Sequence, residues 1–267
     1  VSAGATTTRT PGQGFPARHL LERNLRVYKH VWPAIVSGAF EPAFYLFAVG
    51  VGLGALVGDV TGPRGTPVPY AEFVAPALLA ASAMNGAVVE STFNLFAKIK
   101  QDRTYEAVLA TPMRPGDIAV GEITFSQLRG ALYGVGFLVI ALIAGLVPSL
   151  PGAVLAVPAA VLIGFAFGAV GMACTTFMRS WQDFDLIQMV TLPLFLFSAT
   201  FYPLDVYPGA LQAVARLSPL YHGVELVRAC WFWSFDLTVV GHVAVLLAMT
   251  VGGLVVAARR LRSLLLR

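Results

Sequence analysis

Charged residues are what this sequence has least of. Lysine, arginine, aspartate and glutamate make up 12% of its 267 residues, against about 25% in an ordinary soluble domain. At the same time 57% of the chain is hydrophobic. Low charge combined with several long apolar runs excludes a soluble globular domain and means a polytopic membrane protein. Cysteine is nearly absent too. Cys174 lies inside an apolar run, and Cys230 falls in an expected loop on the opposite side, so neither a bridge nor a metal-ligand spacing is expected. His19, His30, His222 and His242 are scattered and form no metal pattern. No Gly-x-x-x-x-Gly-Lys-Ser/Thr loop is present, so no nucleotide site of that kind exists. Ser180, Ser198 and Ser218 stand in no nucleophile context. The chain is therefore not expected to be an enzyme by itself. No signal peptide is expected, because the first apolar run begins after about thirty residues, too late and too long for one. The net charge of +4 does not point to nucleic acid, since the basic residues cluster beside the ends of apolar runs.

What is present is a succession of runs long enough to span a bilayer. Residues 1–17 are rich in Thr, Gly and Pro and are expected to be disordered. Residues 18–258 form a single transmembrane domain, and residues 259–267 a tail. Six spans are expected, at about 33–57, 70–96, 125–147, 153–177, 186–201 and 237–258. Before the first, Leu21, Leu25, Tyr28 and Trp32 recur at helical spacing, with Arg18, Arg23, Arg26 and Lys29 between them. That is an amphipathic helix lying on the membrane surface, its basic face toward lipid phosphates. Between spans five and six the chain is broken by prolines into two short helices, residues 209–217 and 223–233, separated by Ser218-Pro-Leu-Tyr-His222. Neither crosses about 30 Å of hydrocarbon at 1.5 Å per residue. Their aromatics, Tyr202, Tyr207, Tyr221, Trp231, Phe232, Trp233 and Phe235, are expected at the interface, the helices dipping into one surface. The fold class is all-α and integral to the membrane.

Six spans place both termini on one side. All but Arg64, Arg216 and Arg228 of the eighteen Lys and Arg fall on that side, which makes it cytoplasmic.

One interval, residues 98–117, cannot sit in lipid, because a charge at the bilayer centre costs about 2.5–3.5 kcal/mol. It has helical spacing, with Ile99, Tyr105, Val108 and Leu109 on one side and Asp102, Arg103 and Glu106 largely on others, and it stops before Pro112. Held between two spans, it is a shape another protein can grip; the plainer alternative is a solvated loop. Within the spans, Glu41, Glu72 and Glu90 are the informative carboxylates, each open to a structural role near a span end. Arg129 is expected to pair with Glu122.

Five stretches in order carry a resemblance: Glu41-Pro-Ala-Phe-Tyr-Leu-Phe with Gly50-x-Gly-x-Gly54; Glu90 with Arg103-Thr-Tyr-Glu-Ala-Val-Leu-Ala-Thr111; Gly116-Asp-Ile-Ala-Val-Gly-Glu122; Phe197-Ser-Ala-Thr-Phe-Tyr-Pro203; and Leu217-Ser-Pro-Leu-Tyr-His-Gly-Val-Glu-Leu-Val-Arg228. With them the sequence resembles the permease subunits of type-2 ABC exporters, in the branch of nodulation lipo-oligosaccharide and daunorubicin-resistance permeases. The resemblance implies that the charged interval is a cytoplasmic coupling helix, with Asp102, Arg103, Tyr105, Glu106, Leu109 and Thr111 against a separate ATP-binding subunit, present in two copies. ATP and Mg would be bound by that partner, with no cofactor on this chain. The interfacial helix, with Arg23, Arg26, Lys29 and Trp32, would brace the contact. Glu41, Glu90, Phe197 and Phe201 become candidates for the translocation route, and Tyr202, Pro203, Pro219, Tyr221 and His222 for an extracellular gate. A second permease chain, identical or a paralogue, and membrane lipids complete the expected partners, in a bacterial cytoplasmic membrane. The implied cargo is amphipathic or lipid-linked: drug, glycolipid or polysaccharide. A stand-alone channel or secondary transporter would instead want polar residues deep in several spans or inverted repeats, and a membrane enzyme a clustered catalytic set.

Overall fold

The computed structural model of the protein describes residues 40, 42–100 and 115–265. The interfacial segment with Arg23, Arg26, Lys29 and Trp32 lies outside the described residues, as do Glu41 and the charged interval with Asp102, Arg103, Tyr105, Glu106, Leu109 and Thr111.

Four helices are long and apolar enough to cross a membrane, over Tyr70–Lys98, Val120–Ile143, Leu150–Thr175 and Thr238–Ser263. The shorter apolar helix α1 covers Pro42–Val57. A hairpin follows, β1 (Asp59–Thr61) against β2 (Pro67–Pro69), so the chain is not wholly helical. The pair is antiparallel, with Val60 opposite Val68. Proline is tolerated at both ends of β2 because a two-stranded ribbon has only edges, where a missing N–H costs no ladder bond. Helix α2 (Tyr70–Val89) runs through a π turn at Glu90–Asn94 into α3 (Leu95–Lys100). Next come α4 (Pro115–Ile143), α5 (Leu150–Thr175), α6 (Phe184–Phe197), α7 (Gly209–Leu217), α8 (Pro219–Trp231) and α9 (Thr238–Leu265).

Helix α5 is the hub, and α9, α2, α8 and α4 all pack on it. Its sequence explains why. Ala153, Ala156, Ala159, Ala160, Gly164 and Gly168 are buried around it, and small side chains let helix backbones approach closely in a membrane. Two approaches are tight enough to require glycine. A Cβ on Gly152 would collide with the carbonyl oxygens of Cys230 and Trp231 at the end of α8. One on Gly253 of α9 would lie 2.6 Å from the Ala169 carbonyl carbon of α5.

The bundle has two distinct ends. The hairpin end carries β1–β2, α7 and α8. The basic end carries Lys98, Arg179 and the last turns of α9, where Leu261, Leu95, Ile123 and Ala173 form a second apolar cluster. That cluster explains why α9 continues past Arg259-Arg-Leu-Arg262 to Leu265: Leu261 is buried there, while Arg259 and Arg262 point outward.

Three local expectations are corrected. The break between the two short helices is Ser218 alone, not Ser218-Pro-Leu-Tyr-His222; Pro219 is already the first residue of α8, where its fixed φ and missing N–H suit a helix start. Cys230 is a buried residue of α8, not of a loop. Trp231 is not interfacial but fully buried, and its indole Nε1 donates to the Leu146 carbonyl at 3.1 Å, clamping α8 to the turn between α4 and α5.

Candidate functional site

Two groups of polar residues stand out, one at each end of the bundle. At the hairpin end, a cavity of about 600 Å³ opens between the hairpin, the start of α2, the Leu204–Val206 turn, α7, α8 and the start of α9. Asp205, Glu225 and Asp236 bring carboxylates to its wall, Arg216 and Arg228 guanidinium groups, and Tyr221 a phenol. A wall of both charge signs in a mostly apolar molecule is built for polar chemistry, because every such group carries a desolvation cost when lipid surrounds it.

Arg228 anchors this wall. It is only 5% exposed, yet charged. It forms an ion pair with Glu225, one helical turn back on α8, and its Nη2 donates to the Ala199 carbonyl at 2.9 Å. Its guanidinium lies 4.1 Å from the centroid of the Phe73 ring on α2. Ala199 presents that carbonyl from a left-handed conformation, φ 55°, just past the end of α6. One side chain thus ties α8, the α6 exit and α2 together. The Ser198 and Ser218 hydroxyls, 2.6 Å apart, tie the α6 exit to the α7–α8 junction a second time. On the other flank, His222 Nδ1 of α8 and His242 Nδ1 of α9 are 2.8 Å apart, with Tyr221 edge-on to both rings. A single proton between the two nitrogens makes that bond. Below them, the Asp236 carboxyl is held below its ordinary value by the Thr238 hydroxyl, which donates to it at 2.5 Å.

At the basic end the π turn governs the chemistry. The extra residue it adds to the helical turn leaves Glu90, Ser91 and Thr92 buried. Such turns occur often at functional sites. Glu90, 8% exposed, accepts from Asn94 and pairs with Arg129 of α4. The Arg129 guanidinium also sits 5.8 Å from the Tyr133 ring centroid. The expected Arg129–Glu122 pair is therefore not formed. Glu122 pairs instead with Lys98 at 2.5 Å, because the two ends of the charged interval come side by side.

Of the route and gate candidates, Pro203 and Tyr221 line the hairpin-end cavity. Pro219 starts α8, and His222 binds His242. Tyr202 is exposed beside them. Phe201 packs edge-on against Phe195 at 5.2 Å, and Phe197 is exposed on α6. Glu90 lies in the basic half, apart from these. Arg228 closes the last of the five motifs, and its i,i+3 spacing from Glu225 is the local signal of their pair. The His222–His242 bond joins residues twenty apart on different helices, and no local signal marks it. Among the described residues no group of three or more His, Cys, Asp or Glu could hold a metal ion.

A bundle of long apolar helices with a polar cavity at one end and paired charges at the other is that of a multi-pass membrane protein. The family is shown by sequence comparison. Residues 17–232 match the ABC-2 type transporter family, and the chain belongs to it. It is 33% identical over 267 residues to "Nodulation protein J" of Rhizobium leguminosarum bv. trifolii, covering 99% of this chain and 100% of that protein. It is 32% identical over 259 residues to the protein of the same name from Rhizobium leguminosarum bv. viciae, covering 96% and 98%. The namesake of Rhizobium meliloti is 33% identical over 220 residues, 82% of each chain. Membership of this family implies partnership with an ATP-binding cassette ATPase.

Proposed function

We propose that this chain is the membrane subunit of an ATP-driven exporter that moves an amphipathic or lipid-linked substrate outward across a bacterial cytoplasmic membrane. Family membership over residues 17–232 is the observation that carries this reading. The chain has six spans, α1 and α6 completing the four long helices, with both termini and the basic end in the cytoplasm. The charged interval from Lys98 to Pro112 docks as a coupling helix on an ATPase that binds ATP and Mg and is present in two copies. Asp102, Arg103, Tyr105, Glu106, Leu109 and Thr111 make that contact, and the segment with Arg23, Arg26, Lys29 and Trp32 braces it along the inner leaflet. Two permease chains pair, α1 and α6 lining the route between them. The hairpin-end cavity faces outward and receives the polar part of the leaving substrate. ATP binding closes the ATPase pair and shifts the permease between two packings.

Glu106→Lys tests the docking, because a reversed charge at the contact opposes association. Purification in nanodiscs with mass spectrometry should recover an ATPase near equal stoichiometry with the native chain and lose it with Glu106→Lys. Absence of any ATPase from the native complex would favour a stand-alone channel or secondary transporter.

A further inference from the structure

Helix α6 is fastened differently from every other long helix. Along its length only Phe184, its first residue, is buried. Its two ends, by contrast, are held by specific contacts. At the hairpin end these are the Ser198–Ser218 hydroxyl bond and the Arg228 bond to the Ala199 carbonyl. At the basic end four aromatic rings interlock. Phe93 stacks on Phe184 with centroids 4.1 Å apart. Phe96 meets Trp181 edge-on at 4.9 Å and Phe184 at 5.3 Å. Trp181 stacks on Phe184 at 5.3 Å. Phe93 belongs to the π turn and Phe96 to α3, the helix that leads straight into residues 101–114. Trp181 stands in the 3-10 turn Trp181–Asp183 that leads into α6, Phe184 opens the helix, and the Asp183 carboxylate locks that turn by accepting from the Arg179 and Ser180 amides at 2.7 and 3.1 Å.

Pinned at both ends, and packed between them only along the partly buried face of Ile187, Leu194 and Phe195, α6 transmits displacement along its axis as a rod. At about 1.5 Å per residue, the 14 residues of α6 reach roughly 21 Å from the clasp to the cavity wall. Pro193, one turn before the far end, removes a backbone donor and lets the arriving motion bend that end. We infer that the Phe93–Phe96–Trp181–Phe184 cluster is a mechanical clasp that passes movement of α3 to α6 and so to the outer cavity, with Trp181 and Phe96 as positioning residues for transport. This deepens the proposed function and rests on it, since the movement of α3 originates in the ATPase contact.

A ring cluster that only anchors the chain at the bilayer surface would not link the two ends, and that difference can be measured. A bimane fluorophore is placed on Val206→Cys, an exposed position beside the cavity, in a Cys174→Ser chain reconstituted with its co-purified ATPase in nanodiscs. Adding ATP and vanadate should change the bimane emission in the otherwise native chain. With Trp181→Ala the emission change should fall at least fivefold while ATP hydrolysis stays within about twofold. Trp181→Phe, which keeps a ring, should restore most of it. Should Trp181→Ala fail to accumulate in membranes, Phe96→Leu carries the same comparison, keeping bulk without the edge contact. An emission change of native size in the variants, with the native chain responding to ATP, would overturn the clasp alone. No response to ATP in the native complex would overturn the exporter reading and the clasp with it.

Discussion

The Nζ of Lys98 and the Oε2 of Glu122 stand 2.5 Å apart, stapling the helix that enters residues 101–114 to the helix that leaves them. Glu122 is 6% exposed and its Oε1 has no hydrogen-bond partner among the described residues, whereas Lys98 keeps 24% of its side-chain surface exposed. The base of the charged interval is thereby held at a fixed width, whatever that interval docks against.

Lys98→Met should leave the Glu122 carboxylate buried without its cation. The loss of stability should be about 2 kcal/mol, below the ~3–5 kcal/mol of a fully buried pair because Lys98 is partly solvated. Adding Glu122→Leu should recover most of it, since an apolar pair of similar volume carries no desolvation cost. Thermal melts of the single and double variants in one detergent check this. A double variant no more stable than Lys98→Met would show that the staple acts through something other than charge.

Replacing Arg228 by Met should cost roughly 1–3 kcal/mol and loosen the α6 exit from α8, because the buried Ala199 carbonyl loses its donor. Glu225→Gln should loosen that exit much less, since it leaves the Arg228 bond to the Ala199 carbonyl in place. Protease susceptibility of the segment around Ser198 reports the loosening directly. Equal effects of the two substitutions would contradict the anchoring role of Arg228.

Glycine at the α5 contacts is expected to be intolerant of even a methyl group. Gly152→Ala and Gly253→Ala should each destabilise by about 1–3 kcal/mol through overpacking against backbone atoms. Gly241→Ala, also on α9 but with nothing near its added Cβ, should be neutral or slightly stabilising, since alanine is the better helix former. Melting temperatures of the three side by side are the measurement.

The Asp183 cap sets a pH dependence for the start of α6. Donation from the Arg179 and Ser180 amides holds its carboxyl below the ordinary 3.8. A folded pKa below the unfolded one means that the cap's contribution is present above the unfolded value and is lost as pH falls through the folded one. Hydrogen exchange of the Arg179 and Ser180 amides should therefore stay protected at pH 5–7 and open only in strong acid, while Asp183→Asn should show no such acid transition. Loss of protection already near neutrality would contradict the cap.

Much of this protein was written along the chain itself. Run length and the sparsity of charge determined a polytopic membrane protein, because the bilayer imposes a one-dimensional test that each segment passes or fails alone. Ordered motifs carried the family. The folded bundle decided which residues meet. Arg129 finds Glu90 and not Glu122. Trp231 turns inward to Leu146, and His222 reaches His242. These outcomes depend on the rotation of each helix about its own axis. A helix such as α5, apolar on every side, leaves that rotation unmarked in its sequence. It is set only when glycines such as Gly152 and Gly253 admit one neighbour's backbone and not another's, and when a π turn shifts the residues that follow it onto a new face.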